Sequence, residues 1–423
     1  MASHFNILIV GGGQAARRAA FAAHTALVHG TIGILGEEPH PPYDRPPLSK
    51  QALLRADGIE ACTIIDSGTY AQANIRLLLG DAVVRVQRDQ HLVHTRAGDQ
   101  YHYDRLVLAT GSRPRRLPLP DEISHDVFYL RTKDDAVRLG ARLRAGARVV
   151  VVGAGFIGLE VAAAARSLEC QVDVIDRAPH VLSRILPAHA SQAVQAFHRT
   201  AGVGLHLGAA LDRISRNATG GLCITLTQAD ERPLTLQADI LVVGIGVVPN
   251  VELAQEAGLE VGDGILVDAC GRTSDPDVLA GGEVTAHPVA GRAGRHRIES
   301  WQVAELQAEA AGATAAGAPK TYESLPWFWS DQSDLNIQML GHTPANAHWV
   351  LRGPKDAAHS WFALDREQRI VGVVSFNSGR DISAARRAIQ SRRRIAPELL
   401  ADPARAWREL LSQPAPDAHH PLR

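Results

Sequence analysis

Two stretches of the chain are built to the same plan. Residues 7–16 read ILIVGGGQAA and residues 149–158 read VVVVGAGFIG, 142 residues apart from Gly11 to Gly153. In each, an apolar strand runs into a glycine turn and then a helix. That geometry turns backbone amides and the positive helix end toward a pyrophosphate, and glycine is required where a side chain would block the approach. Gly11 and Gly13 are the glycines of the first turn, and Gly153, Gly155 and Gly158 those of the second. Each copy also ends its second strand on an acid. Glu37 lies 24 residues beyond Gly13 and Asp176 lies 21 beyond Gly155, where a carboxylate accepts hydrogen bonds from ribose hydroxyls. A chain that holds two dinucleotides side by side is most simply a flavoenzyme taking electrons from a nicotinamide. Asp176 favours NADH, because a carboxylate repels the 2′-phosphate of NADPH. Arg177 next to it could instead pair with a phosphate, stack on adenine or point to solvent.

Such turns need a sheet behind them. The first strand–helix–strand unit covers about residues 5–37, followed by the Pro-rich loop EEPHPPYDRPPLSK (37–50) and a helical stretch around Lys50. The strand in YDRLVLATGSRP delivers Thr110 and Gly111 at its end, where open α/β sheets bind ligands. Residues 134–145 read as a helix. Strands follow over 203–207, 222–227 and 234–236, and ADILVVGIGVVPN ends a further strand in Gly244 and Gly246. Then come a helix over 251–257, a hairpin-like segment over 262–288 and a helix over about 302–315. From PWFWSDQ (326–332) short β segments alternate with turns and finish in an Arg-rich helical end. The tail QPAPDAHHPLR (413–423) reads as disordered.

The organisation expected is therefore α/β and glutathione-reductase-like, with two Rossmann-type dinucleotide domains and a small C-terminal α/β domain. A discontinuous FAD-binding domain takes 1–113 and 240–320, an NAD-binding domain 114–239, and a C-terminal reductase domain 321–423.

Composition closes off other classes. Lys plus Arg number 44 against 45 for Asp plus Glu, so no bulk attraction to nucleic acid or an anionic membrane is expected. MASHFNILIV has no cationic segment before its apolar run, which reads as a strand, not a secretion signal, and points to the cytoplasm. The apolar stretch 149–165 is broken by Gly153, Gly155, Gly158 and Glu160, unlike a bilayer span. Cys62, Cys170, Cys223 and Cys270 are too far apart for a CxxC pair and should act as small apolar residues. The histidines form no HxxxH or HExxH array and His419 with His420 lies in the tail, so no metal is assigned.

YDRPPLSK, LVLATGSRP, GAGFIGLEVA, VVGIGVVPN, RTSDPDV, RIESWQVAE and PWFWSDQ occur in the order and spacing of FAD-dependent NADH:ferredoxin reductases that serve bacterial aromatic-ring dioxygenases and haem monooxygenases. The resemblance covers about residues 5–400. It implies non-covalent FAD on Gly11, Gly13, Ala15 and Glu37, with Arg45 and Lys50 beside the flavin and Val83 and Arg131 as further contacts. It implies NAD on Gly153, Gly155, Phe156, Ile157 and Gly158, with Asp176 and Gly246. Lys50, paired with Glu160, would stabilise negative charge on the reduced ring as hydride passes from the nicotinamide C4 to the flavin N5. Read from the residues alone, Lys50 could be an exposed helix residue, and Arg45 and Arg131 members of ordinary surface ion pairs.

Glu283 stands where this family mostly has Asp at the ribityl contact, so its extra methylene either shifts the backbone or moves the carboxylate. Ala16 replaces a glycine at a position that serves helix–strand packing. Trp301, Trp327 and Trp329 suit any core, and the resemblance assigns Trp301 and Trp329 to the isoalloxazine. Arg380, Arg386, Arg387 and Arg392–Arg394 form either a docking face for an acidic ferredoxin or a solvated helix face. The electrons would leave singly to a [2Fe–2S], Rieske-type ferredoxin. GGEVTAHP, RIESWQVAE and QMLGH are most similar to the reductase components of anthranilate 1,2-dioxygenase systems. No cysteine stands in PPYDRPPLSK, which disfavours a dithiol reductase or a sulfenic-acid peroxidase. A rubredoxin reductase and an NADH-responsive flavin-containing interaction protein are the competing readings.

Overall fold

The computed structural model describes residues 3–412 apart from 28–29, 56, 218–219, 229, 343 and 345, so the tail at 413–423 lies outside the described residues. The chain divides into two compact units. One comprises the residues to Leu117, Tyr129–Arg142 and Ile245–Ser324, and the other Pro118–Phe128, Leu143–Gly244 and the chain from Leu325 onward.

The first unit is built on a seven-stranded sheet. Its order is Ile75–Leu79, Ile32–Gly36, Ser3–Val10, Gln100–Leu108, Leu92–Thr95 and Val83–Gln87, with Val278–Ala280 also paired to Gln100–Leu108. The strands at 3–10, 32–36, 75–79, 100–108 and 278–280 are parallel. Both faces are covered, which is why ILIV is apolar without interruption. Ile7 and Ile9 enter one core with Ala16, Ala19, Ala20 and Ala23, while Leu8 and Val10 enter another with Leu35, Leu106 and Val278. The alanines recur at helical spacing along Gln14–Ala26 and present a flat face. Against it lies Ala308–Ala315, so closely that a Cβ on Gly312 would sit 2.1 Å from the Ala19 carbonyl oxygen.

The second unit holds a five-stranded sheet in the order Val203–Leu207, Gln171–Asp176, Arg148–Val152, Ile240–Val243 and Val127–Phe128, parallel throughout. An antiparallel three-stranded sheet spans Ala210–Arg216, Leu222–Thr227 and Pro233–Ala238. A five-stranded antiparallel sheet runs Trp327–Gln332, Leu335–Gly341, Ile370–Phe376, His359–Leu364 and His348–Arg352. The helix Gly379–Gln390 covers this last sheet through Ile382, Ala385 and Ala388. The second fingerprint helix, Phe156–Ser167, meets it through Phe156 and Phe328, whose ring centroids are 4.4 Å apart.

Several expected elements differ in detail. The segment over 262–288 is a hairpin only locally, through an antiparallel bridge of Arg272 to Leu279: Gly264–Leu266 pairs in parallel with Thr285–Val289, and Val278–Ala280 is the seventh strand of the large sheet. The turn residues of RTSDPD reverse the chain, the Ala280 amide donating to the Gly271 carbonyl at 2.9 Å, and the outer strands of the segment then pair in parallel. The helix expected over 134–145 spans Lys133–Gly140, opened by a Thr132–Asp135 capping box. The stretch around Lys50 is a 3-10 turn, Pro46–Ser49, and a single α turn, Gln51–Leu54, with Lys50 itself outside helical geometry between them. Two prolines favour a first turn and supply no amide to prolong the helix behind it. The helix over 302–315 forms, but opens into a π turn over Val303–Gln307 before Ala308–Ala315.

Candidate functional site

In the first unit the glycine turn is pressed against its sheet. Gly11 has φ +124°, its amide bonds the Leu35 carbonyl at 2.8 Å, and a Cβ there would lie 2.1 Å from the Ala109 oxygen. Gly13 caps the helix without a side-chain hydrogen bond, and the first turn carries no acid. A Cβ built on Gly13 would have the Arg45 Nη2 as its neighbour, at 3.9 Å. A bare helix N-terminus beside a guanidinium is an anion site by charge and by donors. Ala15 meets the turn before Glu283, where Gly282 has φ +86° and any Cβ would come within 2.7 Å of the Ala15 Cβ. Gln307 braces that turn by accepting from the Gly282 amide at 2.6 Å and donating to the Ala280 carbonyl at 3.3 Å. Ala16 is fully buried in the sheet–helix core, as its packing position requires.

Arg45 is three-quarters buried, and it is fixed on several sides. Its Nη2 reaches Glu38 at 2.8 Å, and its Nη1 donates to the Tyr43 hydroxyl at 3.0 Å and to the Arg131 carbonyl at 2.6 Å. Tyr43 donates to Glu38 at 2.6 Å and accepts from the Lys133 amide at 3.0 Å. Burial, with Glu38 beside it, pushes the Tyr43 phenol well above its ordinary range, so it stays a donor. Arg131 pairs with Glu283. Burial would raise the Glu283 carboxyl, but Arg131, with Arg45 behind it, holds it below the usual carboxylate range. The longer side chain at 283 thus spends its reach on Arg131. Both arginines sit in this partly buried network, not in exposed surface pairs.

Other expected residues of this unit are placed as follows. Lys50 donates from Nζ to the Pro46 carbonyl at 3.1 Å and is half-buried. Trp301 donates from Nε1 to Asp44 at 2.9 Å. Val83 opens the Val83–Gln87 strand. Glu37 is largely exposed and faces Arg96 at 3.3 Å. Gly246, at φ +102°, accepts from the Arg115 amide at 2.9 Å. Thr110 and Asn250 tie the ends of their strands together, Thr110 Oγ1 donating to the Asn250 carbonyl at 2.7 Å and Asn250 Nδ2 to the Thr110 carbonyl at 2.9 Å.

The second unit repeats the turn. Gly153 has φ +110° and its amide bonds Ile175 at 2.8 Å; a Cβ on Gly158 would lie 2.0 Å from the Gly153 oxygen, so the helix can pack on the strand only through glycine. Gly155 caps the helix with no side-chain bond, no acid follows in the first turn, and a Cβ on Gly155 would meet open space. Asp176 is anchored at the turn: its carboxylate accepts from the Ala154 amide at 2.7 Å and the Ala178 amide at 2.8 Å. Each oxygen keeps lone-pair capacity for a ligand hydroxyl. Arg177 is exposed, as is Ile157. Glu160 is buried and accepts from the Ser330 hydroxyl at 2.6 Å. Trp329 stacks on Trp327 with centroids 5.0 Å apart and planes at 20°. Of the C-terminal arginines, Arg380, Arg387, Arg392 and Arg394 are exposed, and Arg394 faces Glu367 at 3.5 Å.

Sequence reasoning quoted Tyr43, Asp44 and Ser330 inside motifs without singling them out. Glu38 and Gln332 also stand inside quoted motifs, while Gln307 and His198 were missed. Glu38 adjoins Glu37 and could have been flagged by position, whereas nothing local marks Gln307 or His198. The four cysteines are free; Cys62 and Cys170 are buried, and burial raises both thiols. Among the described residues no group of side chains could hold a metal ion and no helix is long and apolar enough to cross a membrane.

Two glycine turns, each opening a helix from the edge of a parallel sheet, define an oxidoreductase that binds two dinucleotides. The pyridine nucleotide-disulphide oxidoreductase signature matches residues 5–308 and a reductase C-terminal signature matches 327–411. The ferredoxin–NAD(+) reductase component of the anthranilate 1,2-dioxygenase system of Burkholderia cepacia is 46% identical over 94% of this chain and 97% of its own length. The corresponding component of the p-cumate 2,3-dioxygenase system of Pseudomonas putida is 38% identical over 94% and 96%. The reductase in the covalent putidaredoxin reductase–putidaredoxin complex superposes with a TM-score of 0.90 at 33% identity, covering 97% of this chain and 99% of that one. The chain belongs to the pyridine nucleotide-disulphide oxidoreductase family, in its ferredoxin–NAD(+) reductase branch. Its cofactors are FAD and NAD(H), and the two open, uncapped helix starts fit their pyrophosphates.

Proposed function

We propose that this chain is the cytoplasmic reductase of an aromatic-ring dioxygenase system, passing electrons from NADH by way of FAD to a Rieske-type [2Fe–2S] ferredoxin, with anthranilate 1,2-dioxygenase as the end user. The observation that carries this reading is the pair of uncapped glycine turns combined with the absence of any cysteine between Glu37 and Lys50. Electrons therefore have no sulfur relay to use in that stretch. The 46% identity to the anthranilate component supports the choice of end user.

The roles follow residue by residue. Gly11, Gly13 and Ala15 bind the FAD pyrophosphate, with Arg45 adding charge, while Arg131 and Glu283 fix the strand-end turn beside the ribityl chain. Glu37 takes the adenosine ribose, and Val83, Trp301 and Trp329 are each assigned to the flavin. Gly153, Gly155, Phe156, Ile157, Gly158 and Gly246 receive NADH, and Asp176 takes its 2′-hydroxyl. What a bound FAD supplies is the conversion of a two-electron hydride donor into single-electron deliveries. Lys50 balances negative charge during that step and Glu160 sets the charge of the nicotinamide side. Residues 1–113 with 240–320, 114–239 and 321–423 are the FAD, NAD and C-terminal reductase domains of this scheme.

The test is to mix purified holoprotein, NADH and one carrier anaerobically, following carrier reduction optically. The anthranilate-system ferredoxin should be reduced at least about tenfold faster than a rubredoxin, the margin a few well-placed docking contacts provide. Faster rubredoxin reduction would overturn the assignment.

A further inference from the structure

A buried hydrogen-bonded chain runs into Glu160. His198 Nε2 lies 2.7 Å from Gln332 Oε1, Gln332 Nε2 lies 3.1 Å from Ser330 Oγ, and Ser330 Oγ lies 2.6 Å from Glu160 Oε1. His198, Gln332 and Ser330 have no exposed surface and Glu160 retains 4%. The three links join three elements: the helix Ala188–Thr200, the strand Trp327–Gln332 and the fingerprint helix Phe156–Ser167.

The chain has a direction. Burial pushes His198 below its ordinary range, so the ring is neutral and carries one N–H. Its Nδ1 is buried without a partner. A bare nitrogen tolerates that position better than an N–H, which would forfeit a full donor. The proton therefore sits on Nε2 and points at Gln332 Oε1. That sets the amide so that its NH₂ donates to Ser330, whose own hydroxyl proton is left for the carboxylate. Every donor faces Glu160, and aligned bonds of this kind polarise one another in a low-dielectric interior.

We propose that His198, Gln332 and Ser330 are positioning residues that hold the Glu160 carboxylate in one orientation for hydride transfer; the inference rests on the role given to Glu160 above. It also accounts for the second half of PWFWSDQ, because Ser330 and Gln332 bring a C-terminal strand to bear on the nicotinamide-side helix.

Anaerobic stopped-flow flavin bleaching by NADH separates the limiting rate from the half-saturating concentration. Ser330→Ala should lower the limiting rate about tenfold, in line with the cost of a misplaced group, and leave half-saturation within about twofold. Gln332→Leu, one link further, should do the same more weakly, and Ser330→Thr, which keeps the hydroxyl, should recover most of the rate. In a Glu160→Gln background Ser330→Ala should have no further effect, which a merely structural loss would not reproduce. If Ser330→Ala and Gln332→Leu keep the wild-type rate while Glu160→Gln is slow, or if the losses multiply, the proposal is overturned. If Glu160→Gln itself is fast, the role assigned to Glu160 has failed, and the chain is judged by nitrogen NMR of the histidine-labelled holoprotein. There His198 should be the Nε2–H tautomer and its signals should move on Ser330→Ala; a different tautomer or unmoved signals would overturn the chain too.

Discussion

Asp176 is anchored by structure, and the role proposed for it adds selectivity to that anchoring. The two amides that hold it belong to Ala154 in the glycine turn and Ala178, two residues beyond the strand, so the carboxylate is fixed before any ligand arrives. Asp176→Ala should raise the KM for NADH about tenfold and bring the kcat/KM ratio of NADH to NADPH down toward unity, measured by ferricyanide reduction with each nucleotide. A second residue matters for stability. His287 is buried with Nδ1 3.1 Å from Thr285 Oγ1 and its ring edge-on to Tyr322, and burial, together with His296, lowers its pKa to about 4. The unfolded chain takes up a proton near pH 6.5 that the folded chain refuses until about 4, so stability falls as pH drops across that window and levels below it. The loss amounts to about 3 kcal/mol. His287→Phe should flatten that part of the melting temperature profile, which differential scanning calorimetry would reveal.

Two helices depend on glycines that touch backbone. A Cβ on Gly312 would strike Ala19 in the first fingerprint helix, and a Cβ on Gly158 would strike Gly153 in the second. Gly312→Val should therefore displace the first helix and release FAD, and Gly158→Val should weaken NADH binding at least about tenfold while flavin is retained. Flavin absorbance after gel filtration and NADH titration would separate the two lesions. The same elements show what was legible in advance. ILIV and VVVV announced central parallel strands because both faces are buried, and the glycines announced their turns. The parallel return of Thr285–Val289 beside Gly264–Leu266 was not legible, since short apolar runs flanked by Gly and Asp look alike whether they pair antiparallel or parallel. The broken helix at Lys50 follows from Pro46 and Pro47, whereas the π turn, where Gln307 bonds Gly282, leaves no periodic signal. The arginine pairings needed coordinates for the same reason: Arg131 and Glu283 are 152 positions apart.

At the scale of the molecule, a net charge of −1 provides no general pull on a partner, so attraction must be local. The helix Gly379–Gln390 turns Ile382, Ala385 and Ala388 inward and leaves Arg380 and Arg387 exposed. Arg380→Glu with Arg387→Glu should raise the KM for ferredoxin about fivefold or more at low ionic strength, lose that effect in high salt, and leave NADH–ferricyanide turnover unchanged. The division of the chain has a consequence for biosynthesis. The polypeptide passes from one unit to the other five times, and the strand Val278–Ala280 and the brace at Gln307 reach the first unit only after most of the second fingerprint sheet has been made. A ribosome that has translated the first glycine turn still holds a chain lacking the seventh strand that completes its sheet. Cofactor capture is thereby deferred to the later part of synthesis, and a nascent chain stalled at Gly244 should leave the ribosome colourless.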